Sequence, residues 1–202
     1  MEQNSNNFTP EQSLELIGHF ILNYRKNLRT RSFYFLLWGW IVIIASLSHF
    51  VVLTIMLKQQ AYDRIGLLTL IIWSFFTLLG LVLTYLHSRS DSVKKEAKSH
   101  IDKFIMTLWR FTALSIILIL FFCIKMNYFY PTPFILTIAG LATTVTGVTV
   151  KFRPVIFGGI LFFIFAVIGS FITSEYQLLI NAVALIFGYL IPGYMLRASK
   201  SE

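Results

Sequence analysis

Acidic side chains are scarce in this chain: nine Asp and Glu stand against seventeen Lys and Arg in 202 residues. None of the nine falls inside a long apolar run, which excludes the in-membrane carboxylate pairs that proton relays use. One cysteine is present, Cys123, so an intrachain disulfide is impossible and cysteine usage says nothing about redox compartment. The four histidines, His19, His49, His87 and His100, are scattered without metal-ligand spacing. There is no HExxH, no GxSxG with a usable His and Asp, and no phosphate-cradling Gly-Lys-Ser/Thr loop. The expectation is a chain that is not an enzyme and takes no cofactor or metal.

What fills the sequence is apolar. Hydrophobic residues make up 56% and charged residues 13%, the balance of a polytopic membrane protein rather than a globular domain. A spanning helix needs roughly 20 apolar residues, because hydrocarbon about 30 Å thick is crossed at about 1.5 Å per residue. Six runs meet that length, near 33–57, 65–87, 104–124, 132–150, 154–173 and 177–196. The predicted fold is all-α: a six-helix transmembrane bundle over 32–197, a cytoplasmic segment over 1–31 and a short tail over 198–202.

The cations sort by side. With the N-terminus inside, one side holds Arg25, Lys26, Arg29, Arg31, Arg89, Lys94, Lys95, Lys98 and Lys103, then Lys151, Arg153, Arg197 and Lys200. The other side holds Lys58, Arg64 and Lys125, and Arg110 is left within a span. Thirteen against three is a strong positive-inside bias, so both termini are expected in the cytoplasm and the chain in the cytoplasmic (inner) membrane. The net charge of +8 then belongs beside anionic inner-leaflet headgroups. No loop is large enough for a nucleic-acid recognition fold, so no direct nucleic-acid partner is expected. The first 32 residues are polar and carry no signal-peptide pattern, which leaves the first span as the insertion signal.

Two cytoplasmic stretches have a helical apolar face. Residues 1–8 are Asn- and Ser-rich and read as disordered, after which Thr9-Pro10-Glu11-Gln12 opens a helix with a capping box and proline in its first turn. Leu14, Ile17, Ile21, Tyr24 and Leu28 follow at three- and four-residue spacing, and Arg25, Lys26, Arg29 and Arg31 close the segment. This amphipathic helix either lies on the inner leaflet or packs against another cytoplasmic helix. The connection 88–103 places Val93, Ala97, Ile101 and Phe104 at helical spacing with Lys94, Lys95 and Lys98 elsewhere. It reads either as a solvated extension of the third span or as part of a collar that binds a cytoplasmic protein.

Within the spans the polar candidates are few. Arg110 reads as a side chain snorkelling to phosphates or as an anion contact inside the bundle. His49, flanked by Ser46 and Ser48, is a structural imidazole bonded to a neighbouring helix or a member of a His49–Asn181–Glu175 cluster matched by depth. Thr143, Thr144 and their neighbours Thr137, Thr146 and Thr149 make the fourth span rich in small polar residues, for close packing or for a polar path. Pro131, Pro133 and Pro154 start the fourth and fifth spans, which predicts a tight hairpin through Lys151-Phe152-Arg153. Pro192 cannot bond back to the Gly188 carbonyl, so a kink is expected there. Tyr62, Tyr128, Tyr130 and Tyr176 suit one aromatic belt, and Tyr34, Trp38, Trp40, Tyr85 and Tyr194 the other.

Residues 32–40, the Lys151-Phe152-Arg153-Pro154 turn with Gly158-Gly159, and the 188–194 segment together resemble a family of small, uncharacterised bacterial integral membrane proteins of this length. The resemblance implies six spans across nearly the whole chain and supplies no catalytic or binding residues. The functional expectation is a non-enzymatic membrane sensor or anchor that engages a cytoplasmic partner or the inner leaflet. A small oligomeric transporter or channel is the alternative, and self-association is open in both.

Overall fold

In hydrocarbon every backbone N–H and C=O must be paired within the chain, and the helix does this segment by segment. The computed structural model describes residues 10–92, 100–128 and 130–198, with side chains over 32–89, 101–128 and 130–198. Every regular element among them is a helix. These are α1 (Pro10–Lys58), α2 (Tyr62–Ser92), α3 (His100–Lys125), α4 (Thr132–Val150), α5 (Arg153–Ser170) and α6 (Gln177–Leu185). A π turn, Ile186–Leu190, then joins α6 to α7 (Ile191–Ala198). Six stretches are long and apolar enough to cross a membrane: Ser32–Lys58, Tyr62–Arg89, Ile101–Lys125, Thr132–Val150, Arg153–Ser170 and Gln177–Ala198. This fits a multi-pass membrane protein.

Helices cover the six apolar runs of the sequence, and α1 is longer than its run. It runs 49 residues without a break, about 74 Å at 1.5 Å per residue. The segment expected as a cytoplasmic helix is therefore an uninterrupted extension of the first span. Its side chains before Ser32, and residues 1–9 and 93–99 altogether, lie outside the description.

Three helix ends close in the same way. Gln60, Asn127 and Lys151 have positive φ. In each case the next amide reaches back five residues: Ala61 to the Met56 carbonyl, Tyr128 to Cys123 and Phe152 to Gly147. This is the Schellman arrangement, which satisfies carbonyls that a helix end would otherwise leave open. After Lys151 only Phe152 separates the turn from α5, so the predicted hairpin is formed.

The helices pack as a curled row in the order α2, α1, α6–α7, α5, α4, α3. Hydropathy alone gives no such order. The α4–α5 pair is the most intimate. A Cβ on Gly159 would run into Thr144, 2.6 Å from its backbone nitrogen. Small residues here let the two backbones approach, which is how helices associate in lipid. On the other side, α1 and α2 run antiparallel through Trp38 against Gly80 and Phe33 stacked on His87 at 3.7 Å.

Candidate functional site

The interior gathers on one side chain of the π turn. Tyr189 is buried, with its ring 4.9 Å from Phe162 of α5, 5.5 Å from Phe35 of α1 and 6.1 Å from Trp109 of α3. Its hydroxyl pairs with Thr143 of α4. Thr143 donates its own proton to the Ala139 carbonyl at 2.7 Å, so the Tyr189 hydroxyl is the donor between the two. Five of the six spans therefore meet at this residue, and α2 is the one left out.

The π turn follows from the sequence around it. Pro192 has no N–H to return to the Gly188 carbonyl, and Ile191 donates instead to Ile186, five residues back. The expected kink takes the form of a widened turn. Gly188 lies directly against the Phe162 ring, and its carbonyl faces Gly158, where a Cβ would come within 2.7 Å of that oxygen. The widening turns Tyr189 inward over Phe162.

A second polar contact holds α1 to α6. Asn181 donates through Nδ2 to Ser46 Oγ at 2.8 Å, and both residues are buried. His49, one turn further along α1, faces α2. Trp73 donates its indole N–H to Nδ1 at 3.2 Å, and Nε2 lies 2.9 Å from Thr69 Oγ1. Because indole nitrogen can only donate, Nδ1 is the acceptor. The neutral imidazole then carries its proton on Nε2 and donates to Thr69. Both ring nitrogens are engaged on the α2 side, so His49 does not join Asn181 and Glu175: the depths match but the helix faces differ.

The remaining candidates are distributed as follows. Thr137, Thr143, Thr146 and Thr149 each donate to a carbonyl four residues back in α4. The hydroxyl of Thr144 is buried against Gly159 and makes no hydrogen bond. Arg110 is on the exposed side of α3, while its neighbour Trp109 turns inward. Arg25, Lys26, Arg29 and Arg31 fall on the backbone of α1, their side chains outside the description. Lys94, Lys95 and Lys98 lie in 93–99, also outside it. Of the aromatic belts, Trp40 and Tyr194 pair directly, the indole N–H donating at 3.1 Å. Phe50 and Tyr176 meet at the opposite end.

Sequence reasoning missed Tyr189, Thr69 and Trp73 as site residues. Thr69 and Trp73 were findable, since they stand four apart on one helical face at the depth of His49. Nothing in the local pattern marks Tyr189, whose burial depends on the π turn. Chemically, these groups close on one another: hydroxyls on carbonyls, amide on hydroxyl, indole on imidazole. Among the described residues no three His, Cys, Asp or Glu side chains gather as metal ligands would.

Six apolar helices around an interior of small and aromatic residues fit a helical multi-pass membrane protein. No protein-family model matches the chain, and no curated protein or solved structure matches it either.

Proposed function

We propose that the protein is a non-enzymatic membrane anchor or sensor that presents the N-terminal part of α1 to a cytoplasmic protein. The observation that carries this reading is the continuity of α1, which runs from Pro10 straight into the span that begins at Ser32. Those 22 residues extend about 33 Å at the helical rise, well beyond the bilayer surface. Such a stalk carries Arg25, Lys26, Arg29 and Arg31 and an apolar face to a partner. In this reading both termini are cytoplasmic, the membrane is the cytoplasmic one, and the likeness to small bacterial six-span proteins is retained. The basic residues of 88–103 and anionic headgroups add to the same surface.

The hydrogen bonds of the interior favour an anchor over a transporter. The polar side chains named above mostly join helix to helix or return to their own backbone, and the Tyr189 cluster fills the space a path would need. One observation favours the transporter reading: the π turn beside Pro192, with the unbonded Thr144 hydroxyl across α5, is a place where pitch can change. A cysteine at position 144 that reacts with a water-soluble thiol reagent from either side would support that path.

The anchor reading is tested by crosslinking in native membranes. The full chain, a chain lacking residues 1–30, and a chain with Arg25, Lys26, Arg29 and Arg31 changed to Gln are compared. A soluble protein captured by the full chain and lost from both variants, each still inserted and folded, is the expected result. Equal capture by all three, or none by any, overturns it.

A further inference from the structure

A furrow of about 350 Å3 runs between α5 and the end of the sixth span, within the size range of small-molecule sites. One wall is Arg153, Phe157 and Leu161 of α5, and the other is Phe187, Ile191 and Met195. Each wall is an i, i+4, i+8 stripe, so the furrow is about 12 Å long at the helical rise. Gly158 and Pro192 form its floor, where the helices are in close contact: a Cβ on Gly158 would lie 3.1 Å from Pro192 Cγ. Phe157, Ile191 and Met195 stand exposed on its rims.

The lining has one charged residue, Arg153, at the end from which α5 starts. Lys151 lies two residues before it and Arg197 two residues after Met195. The furrow is thus apolar along its length and cationic at its mouth. Its walls belong to two membrane spans, so the medium against it is lipid.

We propose that this furrow binds one anionic diacyl phospholipid, with an acyl chain along Phe157, Leu161 and Ile191 and the phosphate on the Arg153 guanidinium. Charge complementarity selects the occupant. An acyl chain alone leaves Arg153 without a counter-ion among the described residues. A soluble anion leaves the 12 Å apolar trough uncovered. A guanidinium presents paired donors that suit phosphate oxygens. The site goes beyond the partner reading above and is independent of which side of the membrane Arg153 faces.

The test uses the full chain in nanodiscs with equal mole fractions of phosphatidylglycerol and phosphatidylcholine, released and weighed by native mass spectrometry. The unaltered chain is expected to retain phosphatidylglycerol in preference, and Arg153→Gln to lower that preference about fivefold, as loss of one cation at a lipid surface predicts. Equal retention of the two lipids by the unaltered chain, or an unchanged preference in R153Q, overturns the proposal. A phosphatidylglycerol carrying a diazirine in its acyl chain gives a second readout that needs no variant. Adducts are expected on Phe157, Leu161, Phe187 and Ile191, and adducts spread evenly over α2 and α3 overturn it. Two chains crosslinked to each other through Phe157 or Met195 would give the furrow to a second copy and overturn it as well.

Discussion

α2 and α4 are both membrane helices, yet they stand in opposite relations to the rest of the protein. Half of the apolar window of α4 is buried inside the bundle, against 6% of that of α2, and α3 is as uncovered as α2. Yet the two uncovered spans are more apolar than α4 or the sixth span. Surrounding lipid is as apolar as leucine, so apolarity alone gives helices no reason to associate. What separates the two regions is side-chain size. α4 carries Gly140, Gly147, Ala139, Ala142 and Thr143 on its covered side, whereas α2 turns Leu70, Phe75, Leu78 and Tyr85 outward. Backbone approach, with the dispersion contacts and hydrogen bonds it permits, decides which helices form the interior.

The largest effect is expected where two backbones are closest. Gly159→Val places a branched side chain against the Thr144 backbone, which cannot swing aside. Overpacking of this kind costs about 3 kcal/mol, and here it separates the hairpin itself. Reversible unfolding in mixed micelles should show that loss, while Leu78→Val on α2, 64% exposed, should leave the midpoint in place. Equal tolerance of both changes would mean that α4 and α5 do not pack this way in the membrane.

A smaller effect separates a hydrogen bond from the packing around it. Ser46 and Asn181 form a buried pair, and interhelical bonds in membranes average about 0.6 kcal/mol by double-mutant cycles. A cycle of Ser46→Ala and Asn181→Leu should give coupling of that order. A coupling of zero would remove the polar link between α1 and α6 and leave α1 held to the sixth span by packing, as where Gly39 meets Tyr189 and Leu190 of the π turn.

Element positions could be read from sequence because hydrocarbon permits only one local solution: long apolar runs, with proline in the first turn of α4 and α5, become helices. The α4–α5 hairpin was legible for the same reason, since one residue between Lys151 and α5 leaves no other path. Helix order was not legible. α2 and α3 are neighbours in sequence but stand at the two ends of the row. Nor was the partner of His49: depth follows from residue count, but the face toward α2 rather than α6 is set by the rotation of α1. The Tyr189 cluster was hidden for a different reason. Pro192 announces a disturbance of the helix, but whether it becomes a bend or a π turn depends on Gly188 resting on Phe162, a contact between residues 26 apart.

The smallest global effect is expected on the rim, and it sharpens the contrast most. α2 packs on the rest of the protein essentially through α1 alone, and the Trp73 indole on His49 and Trp38 on Gly80 are among those contacts. Trp73→Phe keeps an aromatic ring but removes the N–H, leaving His49 Nδ1 without its donor. The direct loss is about 0.5 kcal/mol, and it falls on a helix that the interior does not need in order to pack. Local opening of α2 should therefore rise while unfolding of the bundle stays unchanged, as expected when stability is not uniform across a structure. Hydrogen exchange on the reconstituted protein separates the two: faster exchange confined to amides of α2, with α4 and α5 protected as before, is the expected pattern. If W73F instead lowers the global midpoint as far as loss of the Ser46–Asn181 pair does, α2 is a working part of the interior and the division between core and rim falls.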